Sequence, residues 1–277
     1  TMKELLAPTL ENYKLSVTHL NNFIDVTRGG PQNFLLNNLL RFPQAKSANA
    51  IYGTLIHTVL QHAHSHLAAS GTRKPVEDIT GEFIRLLHQQ ELRDNDLALY
   101  SKRGVEALEA FLGAKYGTFT PSQKPELSFA GQGVVLGQAR LTGSLDLVDI
   151  DDQTITVTDY KTGKPSTSWT GKSDYEKIKL HKYRQQLMFY ELLCANSRDY
   201  AKYDFGGAVL QFVEPDSRGD ICQLDDRFSR DELADFQRLI AAVWRCITTL
   251  ELPPIDNFEQ NYKGILVFEQ MLRNSYS

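Results

Sequence analysis

Residues 141–166 read LTGSLDLVDIDDQTITVTDYKTGKPS, and the way this stretch folds decides the rest of the chain. Apolar and polar residues alternate on both sides of Asp152-Gln153, as expected of two half-buried strands joined by a tight turn. A hairpin closed there sets Val148 opposite Val157 and Ile150 opposite Ile155. That match specifies the register, because a slip of one residue would send the apolar pairs to opposite faces. The same register brings Asp146 across from Asp159, with Cβ atoms about 5 Å apart. Lys161 lies on that face too, since strand side chains alternate. Two carboxylates so placed repel, and a sheet tolerates them cheaply only if one is protonated or a cation lies between them. Hard oxygen ligands of this kind suit Mg²⁺ or Mn²⁺. The competing reading is an ion-pair cluster, neutralised by Lys161, at a strand end with no chemistry.

Around this hairpin the periodicity changes twice. Residues up to about 117 read as helices. SVTHLNNFIDVT opens with Ser16 as a helix N-cap, YGTLIHTVLQHAHSHLAA has a helical apolar stripe, and two amphipathic segments follow near 77–92 and 97–116. From Glu126 the segments ELSFAGQGVVLG, ARLTGSLDLVDI and TITVTDYKT predict three antiparallel strands. LHKYRQQLMFYELLCAN returns to a helix. Two strand-like runs, DFGGAVLQFVE and DICQLD, are then followed by a helix capped at Ser229 and a last helix around 262–273. This order predicts an α/β protein with a central mixed sheet flanked by helices and a helical N-terminal region. Residues 1–277 are expected to form a single domain, helical over 1–120 and sheet-containing over 121–277, because no composition break divides them.

Composition narrows the class. The 277 residues carry a formal charge of -4 and 42% hydrophobic residues, so any nucleic-acid binding must come from a local patch and not from the whole-molecule field. Three scattered cysteines, Cys194, Cys222 and Cys246, show no CxxC spacing, which fits a reducing cytoplasm. There is no run of eighteen apolar residues and no signal-peptide core, so no membrane association is expected. The opening Thr1-Met2 is expected to mark a domain excised from a longer chain.

The spacing from Asp146 to Asp159-Tyr160-Lys161-Thr162-Gly163-Lys164 resembles the "GxxD…DYKTGK" core of the RecB-like branch of the PD-(D/E)XK nuclease superfamily, to which the nuclease domains of RecBCD and AddAB helicase-nucleases belong. SVTHLNNFI resembles that family's Ser-rich helix start, YGTLIHTVL its G-x-x-x-H motif (Gly53, His57), and RQQLMFY its Q-x-x-x-Y motif (Gln186, Tyr190). Four motifs in order cover roughly residues 15–215. The resemblance implies a restriction-endonuclease-like core. It also implies Mg²⁺ or Mn²⁺ held by His57, Asp146, Asp159 and the carbonyl of Tyr160, with Lys161 acting on the attacking water and the charged phosphorane. Gln186 and Tyr190, an i,i+4 pair, are suited to positioning lysine, water or phosphate, with plain packing as the alternative. Glu126 stands where relatives often have an acid and is a candidate further ligand. The implied activity is a DNA nuclease acting on single-stranded or end-containing DNA in repair or recombination. It leaves 5′-phosphate ends, with exonuclease favoured over endonuclease, beside a UvrD-like helicase in cis or in trans. The "PD" motif is Leu145-Asp146 here, and the family's cluster-binding cysteines are missing, so no iron-sulfur cluster is expected. Their absence also weakens the reading as a CRISPR-adaptation nuclease. The rival from another class is a catalytically silent DNA-binding or scaffolding module of the same fold.

Other motifs fall away on inspection. TGKS at 170–173 lacks the glycine at 166 that a P-loop needs, and KTG has no S-x-x-K companion in this chain. His62, His64 and His66 lack the glutamate of HExxH and are expected to face solvent or DNA. Between Lys161 and Arg184 seven basic residues stand against two acidic ones. Lys164, Lys172, Lys179, Lys182 and Arg184 are therefore candidate phosphate contacts, and Trp169, with Tyr175 and Tyr183, a candidate for base stacking. A solvated loop and helix face is the alternative.

Overall fold

The computed structural model describes residues 2–276; Thr1, on which the reading of an excised domain partly rests, lies outside them. The hairpin of 141–166 forms β4 (Ser144–Asp151) and β5 (Thr154–Lys161). Its ladder pairs Val148 with Val157 and Ile150 with Ile155, and it runs as far as Leu147 opposite Thr158. Val148, Ile155 and Val157 are fully buried. Slipping the register would expose all three at roughly 2 kcal/mol each, more than the roughly 1–4 kcal/mol that two neighbouring like charges repel. Packing therefore sets the register and the acids follow.

The helical part comes first, as α1 (Met2–Glu11), α2 (Val17–Ile24), α3 (Gly30–Phe34), α4 (Ala48–Ser70), α5 (Val76–His88) and α6 (Asp94–Lys115). Ser16 caps α2, its side chain accepting from the His19 N–H. The sheet strands are β1 (Lys124–Ser128), β4, β5, β6 (Asp204–Phe212) and β7 (Gln223–Asp226), in spatial order β1-β4-β5-β6-β7. Only β5 and β6 run parallel, joined by the crossover helix α7 (Asp174–Ala195), so the sheet is mixed. Helices α8 (Arg230–Thr249) and α9 (Tyr262–Tyr276) complete the chain.

Two predicted strands are broken up. ELSFAGQGVVLG and ARLTGSLDLVDI yield β1, a two-residue hairpin β2 (Val135–Leu136) with β3 (Ala139–Arg140), and β4. Gly133 and Gly137 adopt positive φ of 64° and 60°, a conformation that turns the chain and that other residues rarely adopt.

Each face of the sheet has its own core. Val148, Ile155, Val157 and Leu210 pack with α2, α7, α8 and α9, whereas Leu147, Tyr160 and Val213 pack with α4, α5 and α6. The central strand β5 is therefore covered on both sides, and its C-terminal end opens where the two helical layers meet. Among the described residues no helix is long and apolar enough to cross a membrane.

Candidate active site

Three elements converge where the middle of β1 lies opposite the first half of β4. Helix α4 brings His57, β1 brings Glu126 and β4 brings Asp146, and one ligand atom from each lies within 4.8 Å of the others. His57 Nδ1 is 3.2 Å from Asp146 Oδ2. That same oxygen accepts the Tyr160 backbone N–H at 2.8 Å, so β5 holds the Asp146 carboxylate where the ladder stops. Glu126 lies between the pairs Pro125–Leu147 and Leu127–Leu145, opposite Asp146. Its φ of +49° is a left-handed conformation costing about 1–2 kcal/mol in a residue with a Cβ. Ser144 Oγ donates to Glu126 Oε2 at 3.0 Å. Gly53 sits one turn before His57, where a Cβ would come 3.1 Å from Thr162 Oγ1; the bare Cα lets α4 lie close to the exit of β5.

Asp159 does not join that cluster. It is 2% exposed and belongs to a second network with α7. Tyr190 Oη donates to Asp159 Oδ1 at 2.6 Å and Gln186 Nε2 donates to the same atom at 3.0 Å. Gln186 Nε2 also reaches Tyr190 Oη, and Lys161 Nζ donates to Gln186 Oε1 at 2.6 Å. Lys161 Nζ forms an ion pair with Asp159 Oδ2 at 2.6 Å. The i,i+4 spacing of Gln186 and Tyr190 places both side chains on the face of α7 over the end of β5.

The two networks share one electrostatic field. Burial raises the Asp159 carboxyl above its ordinary value, and the Asp146 charge adds to this against Lys161 and Tyr190. Burial works to lower Lys161, but the charge and hydrogen bond of Asp159, with Tyr183 and Asp146, together outweigh it and the ammonium is raised. Lys161 also lies 4.5 Å from the centre of the Tyr183 ring. For His57, burial pulls the pKa down, while the hydrogen bond and charge of Asp146, with Asp159 behind, lift it above the ordinary value. The two carboxylates and the histidine nitrogen of the first cluster form a donor set suited to a divalent cation.

The remaining expected residues scatter. Lys164 and Lys172 line a cavity beside the exit of β5. Lys179 Nζ donates to the Lys164 carbonyl at 3.3 Å, and Trp169 Nε1 donates to the Asp225 carbonyl at 3.0 Å. Lys182 is ion-paired with buried Asp25. Arg184 is held by Asp226 at 2.6 Å and Glu232 at 2.7 Å.

The histidines behave differently from one another, and the expectation for His64 is corrected. It is 1% exposed, bonded through Nε2 to Tyr160 Oη at 2.8 Å and stacked on Phe119. The pair fastens Tyr160, and hence β5, to α4. His64 follows His57 by seven residues, two helical turns along one face, within an apolar stripe that includes Leu60 and Leu67. That spacing was the available signal. His62 is exposed and bound to Glu82 at 2.6 Å.

Sequence reasoning also missed Glu214, just beyond β6. Its Oε1 accepts from Gly163 N at 2.6 Å, Tyr52 Oη at 3.1 Å and Arg103 Nη2 at 2.8 Å, and its Oε2 from Arg103 Nε at 2.9 Å. No local pattern marks it, because its partners lie 51 to 162 positions away in the chain.

A family model described as the PD-(D/E)XK nuclease superfamily matches residues 14–259. No curated protein matches the chain.

Proposed function

Because this chain belongs to the PD-(D/E)XK nuclease superfamily, we propose that it is a metal-dependent DNA nuclease of the RecB-like branch, hydrolysing phosphodiester bonds by water attack to leave 5′-phosphate ends. The observation that carries this reading is the meeting of His57, Glu126 and Asp146 beside the Lys161–Asp159 ion pair. Mg²⁺ or Mn²⁺ would be held by His57, Glu126 and Asp146. Asp159 Oδ2 and the Tyr160 carbonyl complete the set that the resemblance to RecB-like nucleases implies. When bound, such an ion polarises the phosphoryl oxygen and lowers the pKa of a water.

The chain's own groups do the rest. Lys161 supplies positive charge where the attacked phosphate gains negative charge. Gln186 fixes the direction of the Lys161 ammonium by accepting one of its protons, and Tyr190 fixes the Asp159 carboxylate. His57 must be neutral to act as a ligand, so ion binding competes with protons at this ring. Lys164, Lys172 and Lys179 present positive charge to the DNA backbone, with Trp169 beside them. We leave Lys182 and Arg184 out of this surface, since each is tied to carboxylates.

Single-stranded or end-containing DNA as substrate, exonuclease action, a repair or recombination role in the cytoplasm and a UvrD-like helicase partner belong to the same proposal and rest on the resemblance. The test is cleavage of labelled single-stranded DNA with Mg²⁺, Mn²⁺ or EDTA by the wild type, Asp159→Ala and Lys161→Ala, with folding checked by circular dichroism. Ion-dependent cleavage lost in both variants supports the reading. Equal cleavage by all three indicates a contaminant and defeats it, and DNA binding without cleavage under any condition indicates a silent scaffold.

A further inference from the structure

The loop between β5 and α7 walls a cavity of about 690 Å³ with the chain that follows β6. Its lining includes four cations, Arg103, Lys164, Lys172 and Arg218, and two carboxylates, Glu214 and Asp216. Both carboxylates are already occupied. Glu214 takes the bidentate Arg103 guanidinium together with Gly163 N and Tyr52 Oη. Asp216 accepts the backbone N–H groups of Arg218 and Asp220 at 2.8 and 3.0 Å and pairs with the Arg218 guanidinium. Lys164 and Lys172, by contrast, have no ion-pair partner among the described residues. The charge left to act on a ligand is therefore positive.

Both lysines are held in place through the backbone. Lys164 follows Gly163, whose N–H Glu214 grips, and precedes Pro165, which restricts it to extended conformations. Lys172 N donates to Glu176 Oε2 at 2.8 Å, within the network that caps α7. Gly171 approaches α7 so closely that a Cβ there would come 2.6 Å from Lys177 N. The cavity is thus preformed, and its volume lies in the range that holds small-molecule groups of nucleotide size. Its walls are tied to the end of β5 that carries Lys161, because Val213 N donates to the Lys161 carbonyl at 2.9 Å and Glu214 accepts from Gly163 N two residues further on.

We infer that this cavity is a phosphate subsite for the substrate strand, in which Lys164 and Lys172, on the loop that Glu214 anchors through Gly163 N, take a backbone phosphate flanking the scissile one. The inference rests on the nuclease reading for its ligand. It adds that the strand leaves the metal-binding groups between the loop 162–173 and the turn 214–220, and it assigns to Arg103, Glu214 and Arg218 places that no motif marks.

The test is the salt dependence of binding of a fluorescently labelled oligothymidylate, followed by anisotropy in EDTA so that nothing is cut. The proteins are the wild type, Lys164→Ala/Lys172→Ala, and the charge-matched Arg198→Ala/Lys202→Ala in the turn before β6, at the opposite end of that strand. Each lost phosphate contact on a single strand makes the log–log slope shallower by about 0.7. Because the two lysines share one phosphate, the first double variant is expected to lose about 0.7 in slope and the second to keep the wild-type slope. Equal slopes in all three proteins, or equal losses in both double variants, overturn the subsite while leaving the nuclease reading intact. A wild type that binds no DNA overturns both.

Discussion

Asp146 Oδ2 accepts the backbone N–H of Tyr160 at 2.8 Å, so the strand that carries one acid of the site holds the carboxylate of the other. This makes Asp146→Asn an informative variant, because an amide oxygen can still accept that hydrogen bond while the charge is gone. The variant should unfold within about 1 kcal/mol of the wild type in urea and bind Mn²⁺ at least tenfold more weakly by calorimetry. Loss of folding with metal affinity retained would reverse these assignments.

The same substitution has an electrostatic signature. Asp146 supplies the hydrogen bond and the largest charge that lift His57 above its ordinary value, against burial and Lys161. Without that carboxylate, burial dominates, and the His57 pKa followed by NMR in metal-free buffer should fall below the wild-type value. An unchanged titration would mean that the His57–Asp146 contact does not form in solution.

Tyr190→Phe removes one of the two donors to buried Asp159 Oδ1. A hydrogen bond to a charged group contributes about 1.5–3 kcal/mol, so a loss of that size in urea denaturation is expected, together with reduced cleavage. A stability change below about 0.5 kcal/mol, the ordinary range for a surface substitution, would show that the hydroxyl is not committed to Asp159.

Much of this arrangement is legible in the sequence, and the parts that are not have physical causes. The hairpin register follows from Val148, Ile150, Ile155 and Val157, because burial is strong and has the strand period. The expected ion-holding set was His57, Asp146, Asp159 and the Tyr160 carbonyl, with Glu126 as a further candidate; His57, Glu126 and Asp146 are the ones whose ligand atoms lie within 4.8 Å of one another. The ladder ends at Leu147–Thr158 and Glu126 turns to positive φ, and neither event leaves a trace in apolar alternation. Counting charges between 161 and 184 makes candidate phosphate contacts of Lys182 and Arg184 alike. Lys182 instead meets Asp25, 157 positions away, and only the fold supplies such partners.

His64 gives a pH prediction. Burial lowers its pKa from 6.5 to about 4, so the unfolded chain binds its proton more readily than the folded one. Its neutral form therefore imposes no stability penalty above pH 6.5, and stability is lost as pH falls from there towards 4, by on the order of 3 kcal/mol in all. In His64→Gln this part of the acid slope should vanish from denaturation curves measured between pH 7 and 4. An identical slope in wild type and variant would show that His64 is not buried neutral.

Glu126→Gly separates strain from chemistry. Glycine adopts φ of +49° without a Cβ penalty, so the variant should be no less stable than the wild type while binding Mn²⁺ more weakly. A clear loss of stability with unchanged Mn²⁺ affinity would assign Glu126 a structural role.

The most direct measurement is anomalous diffraction from crystals soaked in Mn²⁺. A peak within coordination distance of His57, Glu126 and Asp146, with the Lys161 ammonium alongside, is the predicted result. Soaked crystals with no peak there, or with Mn²⁺ bound only elsewhere on the protein, would contradict the assignment of this site.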